Sequence, residues 1–179
     1  MAADSRIDRS KRAFLRAPLA QDRRHAQTAD PWRPPWAAPG FEDACTRCGA
    51  CLEACPEGIL TPGDGGFPAV DVQRGSGECT FCRACVEACP EPAFLSPDEA
   101  RPWDRIAEIG AGCIARSGVH CQTCGDVCDW DAIRFVPEVG GPPQPRLDPD
   151  GCTGCGACIA ACPARAIDIT HRQGAAADA

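Results

Sequence analysis

The apolar residues of this chain come in short runs, and the runs recur. GIL at 58–60, AFL at 93–95, AIRFV at 132–136 and AIDI at 166–169 each follow a cysteine-rich segment. None is long enough for more than a brief strand. Two of them lead into turn-rich text, TPGDGGFP and PEVGGPPQP, and a second short run, AVDV or RLD, lies beyond. Gly and Pro at those points predict hairpin loops between paired strands. The stretches LEA and VEA inside two of the cysteine segments suit a single turn of helix. The repeated unit is therefore cysteine loop, short helix, strand and hairpin, which predicts a small, loop-rich α+β fold. No run approaches the roughly 18 apolar residues that a membrane span needs, so no membrane insertion is expected.

The same pattern divides the chain. Residues 41–96 and 111–171 each hold two cysteine segments and read as two tandem units. The polar, Pro-containing stretch at 97–110 reads as a linker between them, and residues 172–179 as a frayed tail. Residues 1–40 lack sustained periodicity and predict an extended arm. In that arm Trp32 and Trp36 of PWRPPW are expected to fold back on the body, with an anchor for a partner as the alternative.

Composition changes the picture of what holds the fold together. Six Phe, four Trp and no Tyr stand against 18 Gly, 18 Pro and 16 Cys, so apolar side chains alone make a thin core. The net charge of -7 is also uneven: the first forty residues hold eight Lys/Arg and four Asp/Glu, leaving ten against twenty-one for the rest. A basic arm precedes an acidic body. Such a body does not attract nucleic acid, whose binding depends on neutralising phosphates.

The cysteines fall into four groups of four: Cys45, Cys48, Cys51, Cys55; Cys79, Cys82, Cys85, Cys89; Cys113, Cys121, Cys124, Cys128; and Cys152, Cys155, Cys158, Cys162. Three groups share the text CxxCxxCxxxCP. The third has seven residues in its first gap and no proline after its last cysteine. Zinc sites more often use two CxxC pairs divided by a longer insert, and disulfides between cysteines this close are strained. Three thiolates from one tight turn suit a cubane, and a fourth followed by proline suits ligation of the other cluster in a two-cluster unit. The reading is four [4Fe-4S] clusters that form much of the core of two bacterial-type 2[4Fe-4S] ferredoxin-like units.

If neighbouring groups pair, cluster one takes Cys45, Cys48, Cys51 and Cys89, and cluster two takes Cys79, Cys82, Cys85 and Cys55. Cluster three takes Cys113, Cys121, Cys124 and Cys162, and cluster four takes Cys152, Cys155, Cys158 and Cys128. A nested pairing, groups one with four and two with three, uses the same sixteen residues. Cys113 is the weak point, because it must reach its iron from a longer loop. His120, next to Cys121, is read as a surface residue. Gly49, Gly154 and Gly156 lie between ligands, where a tight turn and a close approach of backbone N–H to sulfur both favour glycine. No Ser/His/Asp set and no GxGxxG loop accompanies the cysteines, so the expected protein is an electron carrier or accessory protein without a catalytic site.

SKRAFLR at 10–16 is close to a twin-arginine export signal, but the residues that follow, APLAQDRRHAQTADPW, supply neither an apolar segment nor a cleavage site. A cytoplasmic location is expected, with the stretch acting as a docking arm. SKRAFLR, DPWRPPWA, CTRCGACLEACPEGIL with GDGGFPAVD, CTFCRACVEACPEPAF, the wide third group and CTGCGACIAACPARAI together resemble the NapF family, the ferredoxin-type accessory proteins of periplasmic nitrate reductase systems. The resemblance covers most of residues 8–170, and Lys11 departs from it where arginine is usual. It implies a cytoplasmic iron–sulfur protein that acts on the precursor of the catalytic subunit of periplasmic nitrate reductase, in assembly or reduction of that subunit's own cluster before export. A general polyferredoxin shuttle, or an electron-transfer subunit of another oxidoreductase, is the alternative.

Overall fold

The computed structural model describes residues 31–172; SKRAFLR, most of the basic arm and residues 173–179 lie outside them. The helices are minimal. α1 (Phe41–Ala44) precedes the first cysteine group, while α2 (Ala50–Ala54), α3 (Ala84–Glu87), α4 (Thr123–Asp126) and α5 (Ala157–Ala161) each lie between the second and fourth cysteines of a group. Helices this short are unstable alone and depend on packing: α2 lies against α3, and α4 against α5. Each of α2 and α5 ends at a cysteine in extended conformation, Cys55 at ψ 108 and Cys162 at ψ 111. Pro56 and Pro163 follow, and a residue before proline is kept out of the helical region. The proline thus ends the helix and redirects the cysteine. In all four groups, the third included, the N–H of the last cysteine closes the turn on the carbonyl oxygen three residues before it, Cys128 on Gly125 at 3.1 Å.

Both expected hairpins form. β1 (Leu60–Pro62) pairs antiparallel with β2 (Pro68–Val70), with Leu60 opposite Val70; β4 (Ile133–Val136) pairs antiparallel with β5 (Gln144–Leu147), with Ile133 opposite Leu147. The first loop turns through Gly65 and Gly66 at φ 63 and 80, a region glycine enters without steric cost. Prolines are tolerated in β1 and β2 because both are edge strands.

Three expectations are corrected at the margins. The stretch 97–110 is not a linker throughout: Arg105–Ile109 is a strand, β3, paired antiparallel with β6 (Ile167–His171), from Arg105 opposite His171 to Ile109 opposite Ile167. Ile106, Ala107 and Ile109 are buried there and Glu108 is exposed, a strand pattern overshadowed by the proline-containing text before it. Residues 32–40, assigned to the extended arm, belong to the body, and Trp32 and Trp36 pack on it as expected. Trp36 is only 4% exposed, Ala37 pairs with Phe94 in an isolated bridge, and the Val70 N–H donates to the Trp32 carbonyl oxygen at 2.7 Å. Arg172, assigned to the tail, is tied down by its backbone to Asp104 and by its guanidinium to the Cys152 carbonyl oxygen at 2.9 Å.

From Trp32 the described residues form one compact body. A continuous apolar core runs through both halves, with Ile59, Leu60, Val70 and Val72 from the first and Ala107, Ile109, Ile133, Ile159 and Ile167 from the second. The third cysteine of every group, Cys51, Cys85, Cys124 and Cys158, is buried in that core.

Candidate metal centres

Local backbone conformation repeats with the cysteine text. In the first, second and fourth groups the residue before the second cysteine is left-handed: Arg47 at φ 59, Phe81 at φ 57 and Gly154 at φ 73. The residue after that cysteine is left-handed too: Gly49 at φ 82, Arg83 at φ 68 and Gly156 at φ 98. Two such residues in five wind the chain into a ring whose N–H groups can face inward. For Arg and Phe this conformation costs about 1–2 kcal/mol each, so neighbours must hold it. Arg47 stacks over the Phe67 ring at 4.9 Å and donates to the Gly65 carbonyl oxygen; Arg83 pairs with Asp98 at 2.8 Å.

The third group solves the problem differently. Gln122, before its short helix, sits at φ -130. The residues of the wide gap fold into a turn of their own, in which the Ser117 and Val119 N–H groups both donate to the Ile114 carbonyl oxygen and Gly118 turns at φ 87. Ala115 is buried under it, Arg116 donates to the Ile109 carbonyl oxygen, and Gln144 of β5 donates to the Ala115 carbonyl oxygen at 3.1 Å. The insertion is absorbed, and Cys113 returns to the side of Cys124.

The thiols gather in four sets. Cys45, Cys48, Cys51 and Cys89 line one cavity of about 190 Å³. Cys55, Cys79, Cys82 and Cys85 line a second, smaller cavity, and Cys128, Cys152, Cys155 and Cys158 a third. Cys113, Cys162 and Cys121 stand near enough to Cys124 to help raise its pKa, which makes the remaining set. Each set takes three cysteines from one group and one from the adjacent group, the arrangement of neighbour pairing. No cysteine is in a disulfide, and among the described residues no three His, Cys, Asp or Glu converge on a point sized for a single ion. His120 lies exposed at the surface.

Burial is the first cause that sets the protonation of these thiols, and the mutual repulsion of neighbours adds to it. Cys51 and Cys124 are pushed up to about 11, and Cys79, Cys85 and Cys158 to about 12. Cys155 is raised as well, again by burial first. Opposing this, the Phe81 N–H points at the Cys79 sulfur and the Ala157 N–H at the Cys155 sulfur. The Ala107 N–H donates to Cys152 Sγ at 3.5 Å and the Ala166 N–H to Cys162 Sγ at 3.4 Å.

Residues 44–95 and residues 118–166 each match the family model of a 4Fe-4S dicluster domain. The ferredoxin-type protein NapF of Haemophilus influenzae is 47% identical over 139 residues, 76% of this chain and 77% of that protein. The ferredoxin-type protein NapF of Escherichia coli strain K12 is 43% identical over 168 residues, 93% of this chain and 97% of that protein. The chain belongs to the NapF family of ferredoxin-type proteins. It has the two tandem dicluster units of an α+β ferredoxin-like fold, and these units, with sixteen cysteines in ferredoxin-like motifs, carry four [4Fe-4S] clusters. A more distant likeness, 30% over 165 residues, is to the ferredoxin-type protein NapG of Haemophilus influenzae, of which 59% is covered.

The residues fit what a NapF-family chain must hold. Every set contains one or two thiols whose pKa burial raises, and a multinuclear iron centre would supply the positive charge that makes them thiolates. The N–H groups aimed at sulfur suit a sulfur-rich group of net negative charge. The buried Thr153 hydroxyl lines the same cavity as Cys152, Cys155 and Cys158, and its side chain interacts with the Cys155 sulfur, which lowers that thiol's pKa against the effect of burial. Sequence reading missed Thr153, and also missed Phe81 and Trp130 as walls of two of the cavities. The T in CTxC was visible, but nothing in the text marks it as buried. The family's ferredoxin-type members are electron carriers. Among the described residues no helix is long and apolar enough to cross a membrane.

Proposed function

We propose that each thiol set holds one [4Fe-4S] cluster: Cys45, Cys48, Cys51 and Cys89; Cys79, Cys82, Cys85 and Cys55; Cys113, Cys121, Cys124 and Cys162; and Cys152, Cys155, Cys158 and Cys128. Lining of three separate cavities by three cysteines of one group and one of its neighbour supports this partition. A bound cluster accepts and returns one electron at a time. The chain's own cysteines would hold it, with Cys51, Cys85, Cys124 and Cys158 buried in the core and backbone N–H groups directed at cysteine sulfurs. Anaerobic purification with iron and sulfide analysis tests the assignment, and about sixteen irons are expected from four cubanes. Zinc in place of iron overturns it.

The chain, on this reading, has no catalytic site of its own. It acts in the cytoplasm on the precursor of the catalytic subunit of a periplasmic nitrate reductase, in assembly or reduction of that subunit's iron–sulfur cluster before export. The observation that carries this is the extent of the likeness to the Escherichia coli NapF, 93% of this chain and 97% of that protein. With 179 residues, such coverage leaves about a dozen unmatched and so takes in most of residues 1–40. An electron shuttle needs only the cysteine units; a factor that recognises a precursor has use for an arm. Capture of the nitrate reductase precursor by the full chain, and weaker capture by a chain lacking residues 1–30, which leaves the packed Trp32 and Trp36 in place, is the expected result. Absence of capture by either form sinks the reading. A reporter fused after residue 40 is expected to stay in the cytoplasm, and its export would refute the location.

A further inference from the structure

The loops that carry the second and fourth thiol sets touch each other. The Cys79 N–H donates to the Cys155 carbonyl oxygen at 2.9 Å, a backbone bond that joins the two dicluster units directly. The approach is as close as the side chains allow. A Cβ on Gly77 would stand 2.7 Å from that of Ala160, and one on Gly156 would stand 2.4 Å from Val72 Cγ1.

Phe81 lies in this contact. It is held in the left-handed region between Cys79 and Cys82, and its ring meets Trp103 at 5.7 Å and Trp36 and Trp130 at 6.2 Å, all edge to face. Three edge-to-face contacts on one ring together offset the strain of its backbone. Phe81 also lines the cavity of Cys55, Cys79, Cys82 and Cys85. Trp130 lines that of Cys128, Cys152, Cys155 and Cys158, while Trp103 donates its Nε1–H to the Thr153 carbonyl oxygen at 2.7 Å. One side chain therefore belongs to the second site and, through two tryptophans, grips the loop of the fourth.

The packing of the short helices traces the same neighbourhood: α2 of the first group lies against α3 of the second and α4 of the third against α5 of the fourth, while the bond between Cys79 and Cys155 joins the second to the fourth. The sets thus stand in the order first, second, fourth, third, which is not their order in the chain. We infer that the loops at 79–83 and 152–156 join the two dicluster units into a single four-site electron path in that order, and that Phe81 is the positioning residue for its middle step. The inference rests on the ligand partition proposed above. In that step one electron leaves the second site and enters the fourth, with no proton transferred and no bond made; an external one-electron reductant supplies it. Two ends follow, one at the first set and one at the third.

The test uses the full, cluster-loaded chain. Photoexcited flavin delivers less than one electron per molecule, and the redistribution of reduced clusters is followed by absorbance and by rapid-freeze EPR at several protein concentrations. The expected result is a redistribution phase between the two units whose rate is independent of concentration, lost in Phe81→Ala and kept in Phe81→Leu. A redistribution rate that scales with protein concentration, in the unaltered chain, means that electrons cross between molecules and overturns the path. So does an unchanged phase in a Phe81→Ala chain that retains its iron. Iron and sulfide content, measured on every sample, reports separately on the ligand partition, and the unaltered chain decides the question if Phe81→Ala loses clusters.

Discussion

The two halves of this protein solve one closure problem with different materials. In the second, the segment before the first cysteine forms a five-residue ladder with the segment after the last, β3 against β6. In the first, the corresponding pairing shrinks to the single bridge between Ala37 and Phe94. Aromatic packing takes over there: Trp36 is buried and its Nε1–H bonds the Ala100 carbonyl oxygen, and Phe41 meets Phe94 edge to face at 5.3 Å. The compensation runs the other way in the cysteine loops. The first half has two compact loops with paired left-handed residues; the second has one such loop and one widened loop pinned by Arg116 and Gln144. The cluster geometry is what both halves preserve, and the surrounding chain is adjusted to it.

That comparison breaks most directly at Cys113. If the turn in the widened loop makes the third site equivalent to the others, Cys113→Ser removes one cluster, about four of sixteen irons. Iron and sulfide analysis of the purified variant checks this, and full retention would show that Cys113 is dispensable. Next in size is Trp36→Ala. Truncating a buried tryptophan costs about 3–5 kcal/mol, read as a lower denaturant midpoint under anaerobic conditions, with the first dicluster unit losing its clusters before the second. Loss from both units together would show that the ladder and the aromatic closure are not separate devices.

Smaller effects sharpen the comparison at equivalent loop positions. Gly49 and Gly156 share a left-handed conformation, but a Cβ on Gly49 meets nothing within 4 Å, whereas on Gly156 it meets Val72 Cγ1 at 2.4 Å. Gly49→Ala is expected to cost about 1–2 kcal/mol in conformation alone, and Gly156→Ala about 1–3 kcal/mol more from overpacking. Equal losses would mean that the contact between the units yields freely. Arg83 occupies the same position in the second group. Arg83→Gly relieves its strain and removes a largely exposed ion pair with Asp98, so its midpoint should shift by less than about 1 kcal/mol.

The sequence was most legible where chemistry repeats. Four groups of cysteines, the prolines behind Cys55, Cys89 and Cys162, and the glycine-rich hairpins all act through local geometry, so their text predicts their form. β3 was hidden because RIAEI follows a proline-containing segment and its partner, β6, lies some sixty residues away. Trp32 and Trp36 were legible as packing residues but not as members of a network that extends to Trp103 and Phe81. The bond between Cys79 and Cys155, and with it the non-sequential order of the four sets, depends on how two finished units meet. Cys113 misled by spacing alone: the distance along the chain grew, but a self-contained turn cancelled it in space.

The position of β3 also decides where this protein can be divided. A boundary drawn from cysteine spacing falls near residue 111 and would strip Ile167–His171 of its partner, leaving Ile167 and Ile169 on an open strand edge of the kind that recruits other chains. The half is whole only from before Arg105, and there it already includes Trp103, whose ring leans on Phe81 of the other half. The two dicluster units are thus joined through a seam that no cut in the chain can open without exposing one side of it.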